Sequence, residues 1–319
     1  MPNNRWCSSY CESLLLASSE LAESHHTGVC HPRFRLCKLQ ARFESKRSKK
    51  VQQFYTQAVV NMKEKDQFAS YPSLRERVVL ITGGATGIGA AIVEEFAFQG
   101  SRVAFLDVDV NASSRLIADV SPRSSHTPVF LACDLTNIAA LRSAIAQVEA
   151  TLGTVNVLVN NAASDDRHSY ADVTPEYWDA RMAINLRHQF FAIQAVAPRM
   201  IAGGGGAIIN MSSIGWMIPS TGMPAYVTCK AAIVGLTRTM AHELGKSNIR
   251  VNSVLPGAIL TERQQRLWWT PQYEAEIMAN QALKRSLAPE EVARLVLFLA
   301  ADDSAGITNQ SYVIDGGWV

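Results

Sequence analysis

The 319-residue sequence holds no apolar run near the ~18 residues that a membrane-crossing helix needs, so a helical membrane protein is not expected. Charge is sparse as well. Charged residues make up 18% of the chain and the formal net charge is +2, which leaves no broad basic surface for nucleic acid. Cysteine is scarce and unevenly spread: four of the six (Cys7, Cys11, Cys30 and Cys37) precede residue 62. The other two, Cys133 and Cys229, show no framework spacing, which points to a reducing, cytoplasmic setting rather than a disulfide-stapled exterior. Apolar residues, at 48%, are ample for a packed core, and the length allows one large domain or two small ones.

The composition breaks near residue 61. Residues 1–61 carry nine Lys/Arg against four Asp/Glu, whereas the remainder has 21 against 24. The C-x3-C and C-x6-C spacings there, with His25, His26 and His31 between, match no zinc pattern, so no metal is expected. The short apolar stretch Leu14 to Ala17 fails as a secretory signal, and Glu12, Glu20 and Glu23 argue against a mitochondrial presequence. The segment 1–61 reads as a disordered or upstream-translated extension, with the working protein beginning near Met62.

From residue 73 onward, short β-branched runs alternate with longer amphipathic stretches. Strands are expected at 77–82, 102–106, 127–132, 156–159, 207–210, 249–254 and 311–314. Helices are expected at 88–99, 112–119, 137–152, 175–201, 224–244 and 289–300. This alternation specifies an α/β fold: one domain over 62–319, with a three-layer, doubly wound parallel sheet of the Rossmann type. Boundaries carry their own punctuation, such as Gly100 after a helix and the cap Thr174-Pro175 before one.

Directly after the first strand comes Thr82-Gly83-Gly84-Ala85-Thr86-Gly87-Ile88-Gly89. Glycines let the backbone approach a pyrophosphate, and the helix that follows offers free N–H groups to the anion. Asp107, at the end of the second strand, is placed to accept hydrogen bonds from the adenosine ribose hydroxyls. With Thr86 in the loop and Val108 next to Asp107, nothing offers a counter-charge to a 2′-phosphate, which favours NAD over NADP. Asp134-Leu135 and Asn161-Ala162 fall at the same carboxyl edge of the sheet, although Asp134 can equally cap the next helix.

Tyr226 and Lys230 stand four apart in a helical stretch and share a face. An ammonium beside a phenol favours the phenolate. Ser213, thirteen residues before Tyr226 and just past a strand, can meet the same substrate oxygen, and Asn185 can supply an amide to a water linked to Lys230.

Taken together, residues 73–319 resemble the short-chain dehydrogenase/reductase family. The carrying motifs are T-G-x-x-x-G-x-G at Thr82 to Gly89, Asn160-Asn161-Ala162, the Ser213/Tyr226/Lys230 spacing, Pro256-Gly257-x-x-x-Thr261 and Val313-Ile314-Asp315-Gly316-Gly317. The resemblance implies Tyr226 as general base, Lys230 lowering its pKa and holding the nicotinamide ribose, Ser213 orienting the reacting oxygen and Asn185 completing a proton relay. It implies cofactor contacts at Gly83, Thr86, Gly87, Ile88, Gly89, Asp107, Asp134, Leu135, Asn161, Tyr226, Lys230, Pro256, Gly257, Ile259 and Thr261, and a homotetramer. Two positions depart from the family pattern: Ala163 and Asn309 replace usual glycines, and Ala resists φ > 0.

Within the family the sequence is most similar to NAD-dependent sugar dehydrogenases of the D-xylose 1-dehydrogenase type. The segments that carry this are 71–74, Asp165-Asp166-Arg167-His168, 185–188, 213–216 and the lid-like 263–271. The implied reaction is oxidation of the anomeric C1 hydroxyl of an aldopyranose to a lactone, with Ser164, Ser213, Trp216, Tyr226 and Gln264 as substrate contacts and Trp268 as a further platform. The same resemblance leaves open L-arabinose, L-fucose, L-rhamnose or D-galactose, and, further off, a 3-oxoacyl or steroid-like ketone.

Overall fold

The computed structural model describes residues 68–319; the expectations for 1–61, including the start at Met62, lie outside the described residues. Seven strands form one sheet: β1 (Val78–Thr82), β2 (Arg102–Asp107), β3 (Val129–Ala132), β4 (Val157–Asn160), β5 (Gly206–Met211), β6 (Ile249–Pro256) and β7 (Ser311–Ile314). Every pairing is parallel, in the order β3-β2-β1-β4-β5-β6-β7. The helices are α1 (Gly87–Phe98), α2 (Val110–Val120), α3 (Ile138–Leu152), α4 (Pro175–Met182), α5 (His188–Ala202), α6 (Pro224–Gly245), α7 (Glu262–Leu267), α8 (Pro271–Asn280) and α9 (Pro289–Ala300).

The pleat of β1 shows why there are three layers. All five of its residues are buried, as a central parallel strand requires. Val79 and Ile81 pack with Ile92 and Phe96 of α1 and with Val292, Val296 and Leu299 of α9. Val78 and Leu80 point the other way, to Leu141, Ile145 and Val148 of α3 and Ile193 and Val196 of α5. Each such side chain, fully buried, contributes roughly 1.5–3 kcal/mol. The two apolar faces are therefore written into alternate residues of one short strand.

Strand order reverses between β1 and β4, and the crevice at their carboxyl ends is where such sheets bind ligands. Two buried amides cross that region: Asn160 Nδ2 donates to Asn210 Oδ1 at 2.9 Å, and Asn210 Nδ2 donates to Thr237 Oγ1 at 3.0 Å. These bonds tie the ends of β4 and β5 to α6.

The sequence boundaries agree with the structure to within about two residues, and the caps behave as expected. Gly100 has φ +80, and Thr174 Oγ1 accepts from Tyr177 N at 3.2 Å. The departure at Asn309 is absorbed, since Asn occupies the left-handed region there at φ 62. Ala163 keeps an ordinary negative φ, so the concern over that loop does not materialise. Two features correct the sequence reading. The single helix expected over 175–201 is interrupted by a π-turn, Ala183–Arg187, and the lid-like stretch is two short helices, α7 and α8.

Candidate active site

The glycine loop leaves β1 and folds back on itself. A Cβ on Gly89 would lie 1.8 Å from the Gly83 carbonyl oxygen, and one on Gly84 would lie 2.6 Å from the Phe105 Cβ. Asn161 closes the turn from the neighbouring strand end: its Nδ2 donates to the Gly83 carbonyl at 2.8 Å, while Thr82 Oγ1 accepts from Asn161 N at 3.0 Å and Ala162 N at 3.2 Å. Asn161, expected at the cofactor, thus uses its Nδ2 as a clamp on the loop. No side chain caps the first turn of α1, where Thr86 is the N-cap. Its N–H groups and the positive helix end are left to an anion.

Asp107 stands beside this turn with both carboxylate oxygens fixed by backbone: Oδ2 accepts from Ala85 N at 2.9 Å, and Oδ1 from Val108 N at 2.7 Å and Asp109 N at 3.0 Å. Its remaining lone pairs can accept from ribose hydroxyls. Asp134 uses one oxygen, Oδ1, on its own turn, accepting from Thr136 N and Oγ1, and the cap of α3 is Asn137 instead. Leu135 is buried behind it. On the far wall Thr261 caps α7, and its Cγ2 would be 3.3 Å from a Cβ at Gly87, so the 256–261 segment meets the loop. Gly257 is required for a different reason: its Cβ would strike the Asp315 Cβ at 2.6 Å. Ile259 is buried and bridges to Leu287. The uncapped helix end, the close-packed glycines and the fixed carboxylate together fit a dinucleotide.

Ser213, Tyr226 and Lys230 converge at the same sheet edge. Ser213 hydrogen-bonds the Tyr226 hydroxyl, and its Oγ also accepts from Gly215 N at 3.0 Å. Lys230 is buried, with Nζ donating to the Met211 carbonyl at 2.7 Å and lying 5.4 Å from the Tyr226 ring centroid. Burial brings its pKa down to about 8. The electrostatics differ from the sequence expectation. Burial first and Asp165 second push the half-buried Tyr226 phenol above its ordinary value, against the Ser213 hydrogen bond and Arg167, which lower it. The Lys230 ammonium lies over the Tyr226 ring, with one of its three N–H donors spent on the Met211 carbonyl.

Asn185 lies in the π-turn and is fully buried. Its amide is committed to Ser164 and Arg181: Oδ1 accepts from Ser164 N at 2.8 Å, and Nδ2 donates to the Arg181 carbonyl at 3.1 Å. The amide thus ties the loop after β4 to α4, and one N–H of Nδ2 is left for the water expected beside Lys230.

That loop forms the roof. Asp165 Oδ2 accepts from Gln264 Nε2 at 2.7 Å and Oδ1 from Arg263 Nε at 3.1 Å, both on α7. Asp166 pairs with Arg181 at 2.6 Å and with Arg263 at 3.2 Å. Ser164 Oγ accepts from Arg181 at 3.2 Å. The Arg167 guanidinium lies 5.2 Å from the centroid of the Trp268 ring and covers one of its faces. Trp268 is therefore no open platform on that side, whereas Trp216, at 37% exposure, keeps its ring accessible. His168 Nδ1 sits 3.0 Å from the Tyr177 hydroxyl, at the rim. Sequence reasoning had singled out 165–168 only as a resemblance; two successive carboxylates after a strand facing an Arg-Gln pair were the available signal.

A doubly wound sheet with an anion-ready helix end, a backbone-fixed carboxylate and a Ser/Tyr/Lys cluster at one edge defines a nicotinamide-dinucleotide oxidoreductase. The family model described as enoyl-(acyl carrier protein) reductase matches residues 83–319. Among curated proteins, the chain is 50% identical over 249 residues to a probable galactose dehydrogenase of Rhizobium meliloti, covering 78% of this chain and 97% of the relative. It is 49% identical over 250 residues to D-xylose 1-dehydrogenase of Caulobacter vibrioides, covering 78% and 98%. Among solved structures, a putative short-chain alcohol dehydrogenase from Sinorhizobium meliloti superposes with a TM-score of 0.74 at 28% identity, over 77% of this chain and 98% of that one. The chain belongs to the short-chain dehydrogenase/reductase family.

Proposed function

We propose that this protein oxidises the anomeric C1 hydroxyl of an aldopyranose, with D-xylose the first candidate and D-galactose the second, to the aldonolactone. The observation that carries this reading is the hydroxyl-matched roof of Asp165, Gln264 and Arg263 set over the Ser213–Tyr226 pair. An acyl or steroid substrate would want apolar walls in the same place, since it would cover the remaining acceptor positions of Asp165 without meeting them. The names of the two sugar-dehydrogenase relatives agree with it.

Asp107 and its lack of a basic neighbour favour NAD over NADP. When bound, NAD supplies the acceptor for the hydride that leaves C1. Tyr226 takes the hydroxyl proton as general base, Ser213 holds the same oxygen, and Lys230 draws that oxygen's environment positive while reaching the nicotinamide ribose. Asn185 holds the Ser164 loop against α4, and Ser164, Trp216 and Gln264 complete the sugar pocket. The working form is taken as a cytoplasmic homotetramer, to be checked by light scattering. Among the described residues no helix is long and apolar enough to cross a membrane.

The test is NAD and NADP reduction with a panel of aldopentoses, 6-deoxyhexoses and hexoses. Turnover of no aldose would sink the reading. In Tyr226→Phe, kcat is expected to fall by about 100- to 10,000-fold while NAD still binds. Because the phenol sits above its ordinary pKa, wild-type kcat/KM should climb with pH through the alkaline range, and this rise should vanish in the variant.

A further inference from the structure

Asp165 differs from every other carboxylate at the roof. Its neighbour Asp166 has one guanidinium on each oxygen and is 48% exposed. Asp165 is only 17% exposed, and each of its oxygens is held by one donor, Arg263 on Oδ1 and Gln264 on Oδ2. A carboxylate offers about four acceptor positions, so roughly two remain free. On its other side the residue is fixed by the chain itself, because Ser164 N is pinned to the buried Asn185. Its negative charge is felt at Tyr226, at Lys230 and at Tyr273, which puts it on the reacting side of the roof. Trp268 Nε1, from the same roof, is a buried donor with no partner among the described residues. The roof thus presents a charged acceptor within electrostatic reach of the Tyr226 hydroxyl and an unspent donor, the complement of a ring bearing adjacent hydroxyls.

We propose that Asp165 is the specificity-determining residue of this site: gripped by Asn185 through Ser164 and by Arg263 and Gln264 of α7, its carboxylate accepts a hydrogen bond from the hydroxyl on the carbon next to the reacting one. The inference rests on the aldopyranose reading and deepens it. It makes the enzyme selective for vicinal diols, with C2–OH read directly, over alcohols that lack the neighbouring hydroxyl. A site built to bond a hydroxyl rejects the analogue without it, because the largely covered carboxylate is then left short of a partner.

The experiment is a cycle of variant against substrate hydroxyl. kcat/KM with NAD is measured for D-galactose and 2-deoxy-D-galactose in the wild type, Asp165→Ala and Asp165→Asn, with folding checked by circular dichroism. The wild type is expected to prefer the parent sugar by about 10- to 100-fold, the range of a hydrogen bond to a charged group. The preference should fall to near unity in Asp165→Ala and to an intermediate value in Asp165→Asn, which keeps a neutral acceptor. Any change the variants make to Tyr226 affects both sugars alike and cancels in the ratio. A residue that merely latches α7 would lower both rates and leave the ratio intact, and that outcome overturns the proposal. So does a wild-type ratio near unity, which can be read even if neither variant folds. In both cases sugar oxidation itself survives; absence of turnover with any aldose instead removes the reading underneath.

Discussion

At the scale of single residues, the site is built from side chains whose surroundings oppose their ordinary chemistry. His188 is the sharpest case outside the catalytic cluster. It is fully buried, bonds the Ala162 carbonyl at 3.1 Å and is pushed down to about 4, by desolvation first and by the Lys230 charge second. Between pH 4 and 6.5 the unfolded chain therefore holds a proton that the folded chain refuses. Stability should fall as pH drops through that window, by up to ~3 kcal/mol. Denaturant midpoints measured from pH 7 to 4 should show this slope, and His188→Gln should flatten it. The sequence made Ser213, Tyr226 and Lys230 legible because their spacing survives as spacing. The direction of the Tyr226 shift was not legible, since it depends first on how deeply the phenol is buried and then on a carboxylate 61 positions away in sequence.

At the scale of elements, alternation of apolar runs was enough to locate all seven strands and the longer helices, because burial on both faces leaves a continuous apolar signature. The π-turn at Ala183–Arg187 was not legible: it keeps a helical composition and changes only the hydrogen-bond ladder. The two lid helices carried readable caps, Thr261 and Thr270-Pro271, of the same kind as Thr174-Pro175. They lacked an apolar stripe long enough to be recognised, and Ile277 is the one fully buried residue between them. The glycine loop is the element whose failure is easiest to foresee. A methyl group at Gly89 would need to occupy space held by the Gly83 carbonyl and the Asn161 amide. Gly89→Ala should weaken NAD binding by at least about 100-fold in a fluorescence titration, and a variant binding like the wild type would show that the loop yields.

At the scale of the molecule, about 250 residues of this chain account for 97% and 98% of the length of the two sugar-dehydrogenase relatives, so those proteins have no counterpart to the remaining residues. A chain of residues 62–319 is expected to melt as cooperatively as the full protein and to keep its kcat/KM within about two-fold; loss of either would make the first sixty-one residues part of the working unit. The sheet has two open margins, β3 and β7. β7 pairs only with β6, shows partial exposure at each of its four residues, and leads straight into Asp315, the residue packed on Gly257 beneath the dinucleotide site. An edge strand thus leads into a residue packed against the expected dinucleotide site, and fringe strands loosen at lower free energy than central ones. On warming, activity should disappear several degrees before the calorimetric transition, making the enzyme's working ceiling a property of its hem rather than of its heart.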